Sequence, residues 1–528
     1  MRESKVTTGD VAVQPIKDGQ VVASTGAGSL VIPEMILRAL ERRFLKTGHP
    51  RNLTFFHCTG FGNIKDAGPA HLAHEGLVKR VIGGHYGNAP QMADLASSNK
   101  MEAYCFPQGV MDQLVRAAAC GHPRVITHVG LGTFIDPRQD GGKLNERAKD
   151  DLVELVHLDG QEYLSYRVPP IEVAIIRGTT ADEDGNITME YEPVTLEVLS
   201  LAQAAKNHQG LVIAQVKRLT ARGSLDPRMV KVPGILVDKI VVDENQEQIY
   251  ELEDYNPIFT GEIRCPDPVS LIKEHKTETR RNKERIFIVR RATLELEPGA
   301  IINLGYGISQ LLPGVVVEEG IQDDIIFTIE QGTIGGLPLT GIAGAAQVNP
   351  QAIIDRCYQF EFYQGGGLDI AFLSFGQIDK QGNVNVSKLG NTVQGVGGFI
   401  DISQNAKKVI FSALFTGSGT TLEVSEDSVR IVGEGKYSKF KQQVDQISFN
   451  GHLALKRRQQ VIYVTERAVF ELRPQGVTLT EIAPGVDLED DILSHMEFMP
   501  IIAKDLKTMD MRVFGEELLG LRAKWHHQ

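Results

Sequence analysis

The 528-residue chain holds five cysteines, Cys58, Cys105, Cys120, Cys265 and Cys357, and no two of them form a CxxC pair or a compact cluster. That scatter argues against a disulfide framework and a thiolate zinc site, and it fits a reducing compartment. No window approaches the roughly 18–20 apolar residues that a membrane span needs. The first residues, Met1 to Lys5, lead into Val-, Thr-, Gly- and Asp-rich sequence rather than an apolar signal core. Positive charge is in deficit, with 55 Lys and Arg against 67 Asp and Glu and a net charge of −12. Nucleic acid and anionic membranes are therefore poor candidates for the main partner, although a local basic pocket for a phosphorylated ligand remains compatible with that total. The patterns HExxH, GxSxG and GxxxxGK[ST] are missing, and His71, His74 and His85 lack the paired spacing of a zinc helix. No metal site is expected. What remains is a cytoplasmic, enzyme-sized protein whose 42% hydrophobic and 23% charged residues are ordinary for a globular chain. Its length implies about two to four domains.

What is present is an echo. Residues 173–187 align without a gap on residues 370–384, at an offset of 197. Each segment reads as an apolar strand, a short connection with an aspartate (Asp182, Asp379), a Gly-Asn turn (Gly185-Asn186, Gly382-Asn383) and a second apolar run. Upstream, Asp18–Gly28 resembles Pro298–Gly307 at an offset of about 280, and each continues to a proline, Pro33 or Pro313. Both echoes run in the same order, with about 80 extra residues in the first half. This predicts an internal duplication: two related open α/β domains with mainly parallel sheets, fused in one chain. Predicted strands are Val21–Ser24, Leu53–His57, Val173–Arg177, Leu211–Val216, Ile301–Leu304, Ile325–Ile329, Ile370–Ser374 and Val409–Phe415. One helix is plain, starting at Pro33, carrying Ile36, Leu37, Leu40 and Phe44 at helical spacing, and stopping at Gly48. The charged stretch from Lys273 to Arg285 reads as the join, either a solvated linker or an exposed helix, and sets the domains at 1–275 and 286–528.

The segment Phe327–Pro338 carries the chemistry. An apolar, β-branched strand stops at one carboxylate, Glu330, and Gly332, Gly335 and Gly336 follow. An acid at a strand end, beside backbone that a ligand can approach closely, suits a carboxylate that acts on something; an ordinary strand exit with a solvated Glu is the plainer alternative. Gly26-Ala27-Gly28 and Gly305-Tyr306-Gly307 each follow a strand and precede a helix, where backbone N–H groups hold anions. A dinucleotide loop is disfavoured, because Val31 and Gln310 stand where a third glycine belongs; a tight strand-to-helix turn is the other reading. Gly395–Gly398 is a third such place, with exposed amides suited to an oxyanion hole. Lys407 and Lys408 follow it, either to meet a phosphate or as a solvated helix end. His57-Cys58 reads as a strand end with a buried core thiol.

Together these residues resemble a family I CoA-transferase, most of all the single-chain bacterial acetate/propionate enzymes. The resemblance covers nearly the whole chain. It rests on Gly26/Gly28, Pro107-Gln108-Gly109, Gly130–Pro137, Asn303–Gly307, Glu330-Gln331-Gly332, Gly366–Asp369, Gly382–Ser387 and Gly397-Gly398-Phe399. It implies that Glu330 is the nucleophile and that CoA passes between a short-chain acyl-CoA and a free acid (acetate, propionate or butyrate) by way of a glutamyl-CoA thioester. It also implies that Gln108, Gly397 and Gly398 face the oxyanion, and that Gly26 and Gly28 border the acyl pocket. Asn303, Gly305, Tyr306, Gly307 and Lys408 would then contact CoA. Coenzyme A is a substrate in this reading, with no permanently bound cofactor, and a homotetramer is implied. The family often has Asn or Ser after the glutamate, and this chain has Gln331. The rival readings are an acyl-CoA hydrolase on the same scaffold and a non-catalytic module that binds CoA or a sugar phosphate.

Overall fold

The computed structural model describes residues 4–274, 283–417 and 419–526. Two sheets organise the chain. The centre of the first is a run of five parallel strands: β1 (Val21–Ser24), β2 (Leu53–His57), β3 (Val173–Asp182), β4 (Leu211–Thr220) and β5 (Lys239–Val242), in the order β2-β1-β3-β4-β5. The second repeats it with β6 (Ile301–Leu304), β7 (Ile326–Ile329), β8 (Ile370–Ser374), β9 (Lys408–Ser412) and β10 (Gln460–Val464), in the order β7-β6-β8-β9-β10. All ten residues of β3 are buried, as expected of a strand covered on both faces.

The duplication is visible at the level of single bonds. Val22 pairs with Val173, and Ile302 pairs with Ile370. The backbone N–H of Val21 donates to Glu172 Oε2 at 2.9 Å, and that of Ile301 donates to Asp369 Oδ2 at 2.9 Å. In the twin turns, Asp182 Oδ1 accepts from the Asp184 and Asn186 amides, while Asp379 Oδ1 accepts from those of Gln381 and Asn383. Both turn glycines, Gly185 and Gly382, have positive φ (90° and 77°), which explains the residue type.

The extra residues of the first half extend its sheet through Val78–Gly83 and Glu102–Cys105, then form a separate three-stranded sheet from Arg124–Thr127, Val153–Leu158 and Gln161–Arg167. The second sheet instead grows past β10 through Ala468–Arg473, Gly476–Ile482 and Ile501–Thr508. Helix α1 (Glu34–Thr47) runs where the sequence places it. It buries Ile36, Leu37 and Leu40, and ends on Gly48 in the left-handed conformation. The proposed join falls partly outside the described residues, between helices Pro268–Glu274 and Lys283–Thr293. One apolar cluster runs from Ala12 to Leu521, so the halves share a core. No described helix is long and apolar enough to cross a membrane.

Candidate active site

Strand β7 ends at Ile329, and the chain turns back at once: Ile329 pairs antiparallel with Thr333. Glu330, Gln331 and Gly332 are therefore the tip of a three-residue hairpin, not a loose exit. The Gly332 amide donates to Ile329 O at 3.0 Å, its φ is +110°, and a Cβ there would lie 2.1 Å from Ile354 O. Only glycine permits this turn to pack so closely on the segment before the helix α3 (Arg356–Gln364).

The hairpin tip opens on a cavity of about 410 Å³ whose wall comes from both halves. Gly28, Thr59, Gly60, His85, Gly87 and Asn88 line it from the first half; Gly305, Tyr306, Glu330, Ser374 and Gln394–Gly398 line it from the second. The glycine loop meets the carboxylate directly, since a Cβ on Gly398 would stand 2.0 Å from Glu330 Oε2. Burial pushes the Glu330 carboxyl up to about 7; Arg356 opposes the shift, Asp112 adds to it, and the Gly398 amide holds it down. Asp401, at the start of helix α4 (Phe399–Asn405), is likewise pushed to about 7 by burial. His85 is driven down to about 4, so it faces the cavity as a neutral imidazole. A carboxylate with a raised pKa is more basic and more nucleophilic than an ordinary one, and near neutral pH a large fraction of it is ionised.

Behind Glu330 lies a polar cluster that the sequence did not announce. Gln331 Nε2 donates to Glu330 Oε1 at 3.1 Å, while Gln331 Oε1 accepts from Gln108 Nε2 at 3.3 Å and Arg356 Nη1 at 3.5 Å. Arg356 is fully buried and forks onto Asp112, with Nε–Oδ2 at 2.9 Å and Nη2–Oδ1 at 2.8 Å, and reaches Glu197 Oε2 at 2.5 Å. Cys58 joins Asp112 and Glu197, with donor atoms all within 4.8 Å of one another. The Arg356 guanidinium pairs with both carboxylates of that group. No spacing rule connects positions 58, 112, 197 and 356; only the docking of the halves does.

The structure sorts the predicted residues. Glu330, Gly28, Gly305, Tyr306, Gly397 and Gly398 line the cavity. Gln108 is fully buried behind the wall, against Gln331, and is tied to the glycine loop by its own N–H, which donates to Gly397 O at 2.9 Å. The Gly397 amide is already spent on Gly84 O at 2.7 Å, which leaves Gly398 as the amide of that pair beside the carboxylate. Gly307 leads into the short Ile308–Leu311 turn at the cavity's edge. Three of the predicted residues lie away from the cavity lining. Gly26 does not reach the cavity; its place is structural, since a Cβ there would sit 2.4 Å from the Phe61 ring. Asn303 is buried on β6, where its amide donates to Thr328 O and to Tyr363 Oη, so it braces the strand that carries Glu330. Lys408 starts β9, at the opposite end of the sheet from the site, and pairs with Glu295 and Glu297. In parallel strands the start and the end lie on different sides of the sheet, and a lysine after the glycine loop in sequence returns to the far side.

A larger cavity, about 540 Å³, lies in the first half beside Glu34 and Arg177. Its arginines are each committed: Arg38 to Glu34, Arg42 to Asp10 and Arg177 to Glu192. Glu330 lies on the wall of the smaller cavity, not of this one.

A duplicated α/β chain with a strand-end carboxylate on a cavity lined by both halves defines a structural class. Comparison with known proteins gives that class its name. The Coenzyme A transferase family model matches residues 6–243. The acetate CoA-transferase YdiF of Escherichia coli K12 is 43% identical over 516 residues, covering 98% of this chain and 96% of that protein. The caffeate CoA-transferase of Acetobacterium woodii is 41% identical over 528 residues, covering 98% and 99%. The crystal structure of the YdiF apoenzyme from E. coli O157:H7 superposes with a TM-score of 0.92 at 42% identity, covering 98% of this chain and 97% of that one. The chain belongs to the coenzyme A transferase family, and coenzyme A is its substrate rather than a resident group.

Proposed function

We propose that the protein transfers CoA between a short-chain acyl-CoA and a free carboxylate by a ping-pong route through a Glu330–CoA thioester. The observation that carries this reading is the placement of Glu330: a carboxylate shifted to about 7, at a hairpin tip, against Gly398, on the wall of a cavity between the two halves. The Glu330 carboxylate attacks the thioester carbonyl. The C–S bond breaks, CoA leaves as thiolate, and an acyl–glutamyl anhydride remains. The thiolate then attacks the glutamyl carbonyl, the acyl group departs as a carboxylate, and Glu330 holds CoA as a thioester. A second acid runs these steps backwards. One difficult exchange becomes several easier ones, and no outside energy source is needed, because one thioester replaces another.

Each developing oxyanion needs a donor. The Gly398 amide is the nearest backbone candidate, with the Gln108 amide behind it. Tyr306, 58% exposed at the cavity mouth, is positioned to meet the CoA chain as it enters. The relatives are named for acetate and for caffeate, and a short acid is the reading taken here, on the sequence's resemblance to the single-chain acetate/propionate enzymes. The test is the mass of the protein after incubation with acetyl-CoA. An adduct on the Glu330 peptide that acetate or propionate discharges supports the transfer. Release of CoA without adduct or acceptor means hydrolysis.

A further inference from the structure

We propose that Arg356 is a positioning residue for the transfer: pinned between Asp112 and Glu197 of the first half, it fixes the Gln331 amide that orients both Glu330 and Gln108. The inference rests on the reading of Glu330 as the nucleophile and adds how that nucleophile is held.

A glutamine side chain has an acceptor end and a donor end, and its orientation is decided by its neighbours. Two donors, Gln108 Nε2 and Arg356 Nη1, converge on Gln331 Oε1 at 3.3 and 3.5 Å. Turning the amide over would set its NH₂ group against a guanidinium. The oxygen therefore stays toward Arg356, and the NH₂ is left to donate to Glu330 Oε1 at 3.1 Å. That bond holds one carboxylate oxygen, while Gly398 crowds the other. The same oxygen anchors Gln108, whose own carbonyl Oε1 is buried without a partner. One amide thus sets the nucleophile and the residue behind the glycine loop together.

Arg356 is itself held from across the boundary. Asp112 lies on helix α2 (Gln108–Ala119), and Glu197 immediately precedes the helix Val198–Asn207, both in the first half. The neighbour Asp355 is gripped the same way, by Thr195 Oγ1 at 2.8 Å and by Lys231. A buried guanidinium between two carboxylates is weak evidence for stability, since removing all three charges is often harmless. Its value here lies in geometry: the fork fixes the arginine in the plane that points Nη1 at Gln331. The docking of the halves, not a single loop, is what orients the nucleophile.

The charged and titratable groups around Glu330 are Arg356, Asp112 and Glu197 in this cluster, Cys58 beside them, Asp401 at the start of α4, Tyr363 on α3, and His85 on the first-half wall of the same cavity. Arg356 lowers the carboxyl's pKa and Asp112 raises it. The two charges can therefore be separated by experiment.

The experiment follows formation of the Glu330–CoA adduct by rapid quench and mass spectrometry across a pH series, in full-length wild type, Gln331→Met, Asp112→Asn and Arg356→Met, with thermal unfolding of each. Gln331→Met keeps the bulk and removes both hydrogen-bonding ends; its adduct forms about 10- to 100-fold more slowly, with KM for acyl-CoA unchanged. The pH midpoint of adduct formation moves down in Asp112→Asn and up in Arg356→Met. A cluster that is only structural would lower the unfolding temperature and leave rate and midpoint at wild-type values, which overturns the proposal. Should Arg356→Met not fold, the other two variants still decide it. Absence of any adduct in wild type would instead overturn the assignment of Glu330 on which the proposal stands.

Discussion

Gly398 and Glu330 touch so closely that a β-carbon on the glycine would lie 2.0 Å from the carboxylate oxygen Oε2. A glycine at this position is required by the nucleophile, because its own φ of −82° is open to any residue. Gly398→Ala is therefore expected to displace the carboxylate rather than the loop. The rate of adduct formation should fall by about 100-fold or more, with thermal stability little changed. Rapid-quench mass spectrometry on the alanine variant checks this.

The Glu330 carboxyl titrates near 7, above its ordinary value of 4.5, because it is buried. Only the ionised form attacks, so kcat/KM for acyl-CoA should rise with pH through about 7 and then level off. His85 adds no limb near neutrality, since it is already neutral above about 4. A pH profile on wild type reads both.

The same shift bears on stability. A carboxyl whose folded pKa is raised binds its proton more tightly when folded, and that stabilisation is lost as pH rises from 4.5 through about 7. Glu330→Gln cannot ionise and escapes the loss. It should be inactive and, at alkaline pH, more stable than wild type by on the order of 1–3 kcal/mol. The gain should vanish in acid, below the ordinary carboxyl value. Urea unfolding at two pH values measures it.

The twin turns make a prediction about the duplication. Asn383 donates to Asp379 Oδ2 at 3.0 Å and accepts from the Gly451 amide at 3.0 Å; Asn186 donates to Asp182 Oδ2 at 2.9 Å and accepts from the Gly234 amide at 2.8 Å. Asn383→Ala and Asn186→Ala should each cost about 1–3 kcal/mol. Asn383, only 3% exposed, should cost the more, because the amide it abandons is sealed from water. Comparative unfolding of the two variants shows the order.

Tyr306 stands 58% exposed at the cavity mouth, and its backbone oxygen accepts from Ser374 Oγ at 3.1 Å. Tyr306→Ala should raise KM for acyl-CoA by about 3- to 10-fold while kcat holds, as expected when binding common to ground and transition state is removed. Steady-state kinetics with acyl-CoA varied is sufficient.

Much of this fold is legible in the sequence. Predicted strands such as Val21–Ser24, Leu53–His57, Ile301–Leu304 and Ile370–Ser374 coincide with observed ones, because buried parallel strands write themselves as short β-branched runs between turn residues. The offsets of 197 and 280 reappear as matched strand pairings. The predicted residues that lie away from the cavity share a cause. Lys408 follows the glycine loop in sequence but belongs to the start of the next parallel strand, on the other side of the sheet. Gly26 is needed by Phe61 and Asn303 by Thr328 and Tyr363, and glycine or asparagine looks the same in sequence whether it faces a ligand or a neighbour. The Asp112–Arg356–Glu197 cluster joins residues 159 and 244 positions apart. Local periodicity has no access to such contacts; only the docking of two halves creates them.

The most direct measurement is the intact mass of wild type and Glu330→Ala after incubation with acetyl-CoA, followed by peptide mapping. The account predicts a CoA adduct confined to the Glu330 peptide, absent from the variant and discharged by acetate or propionate. Free CoA released with no adduct at any time, or an adduct that persists in Glu330→Ala, would contradict it.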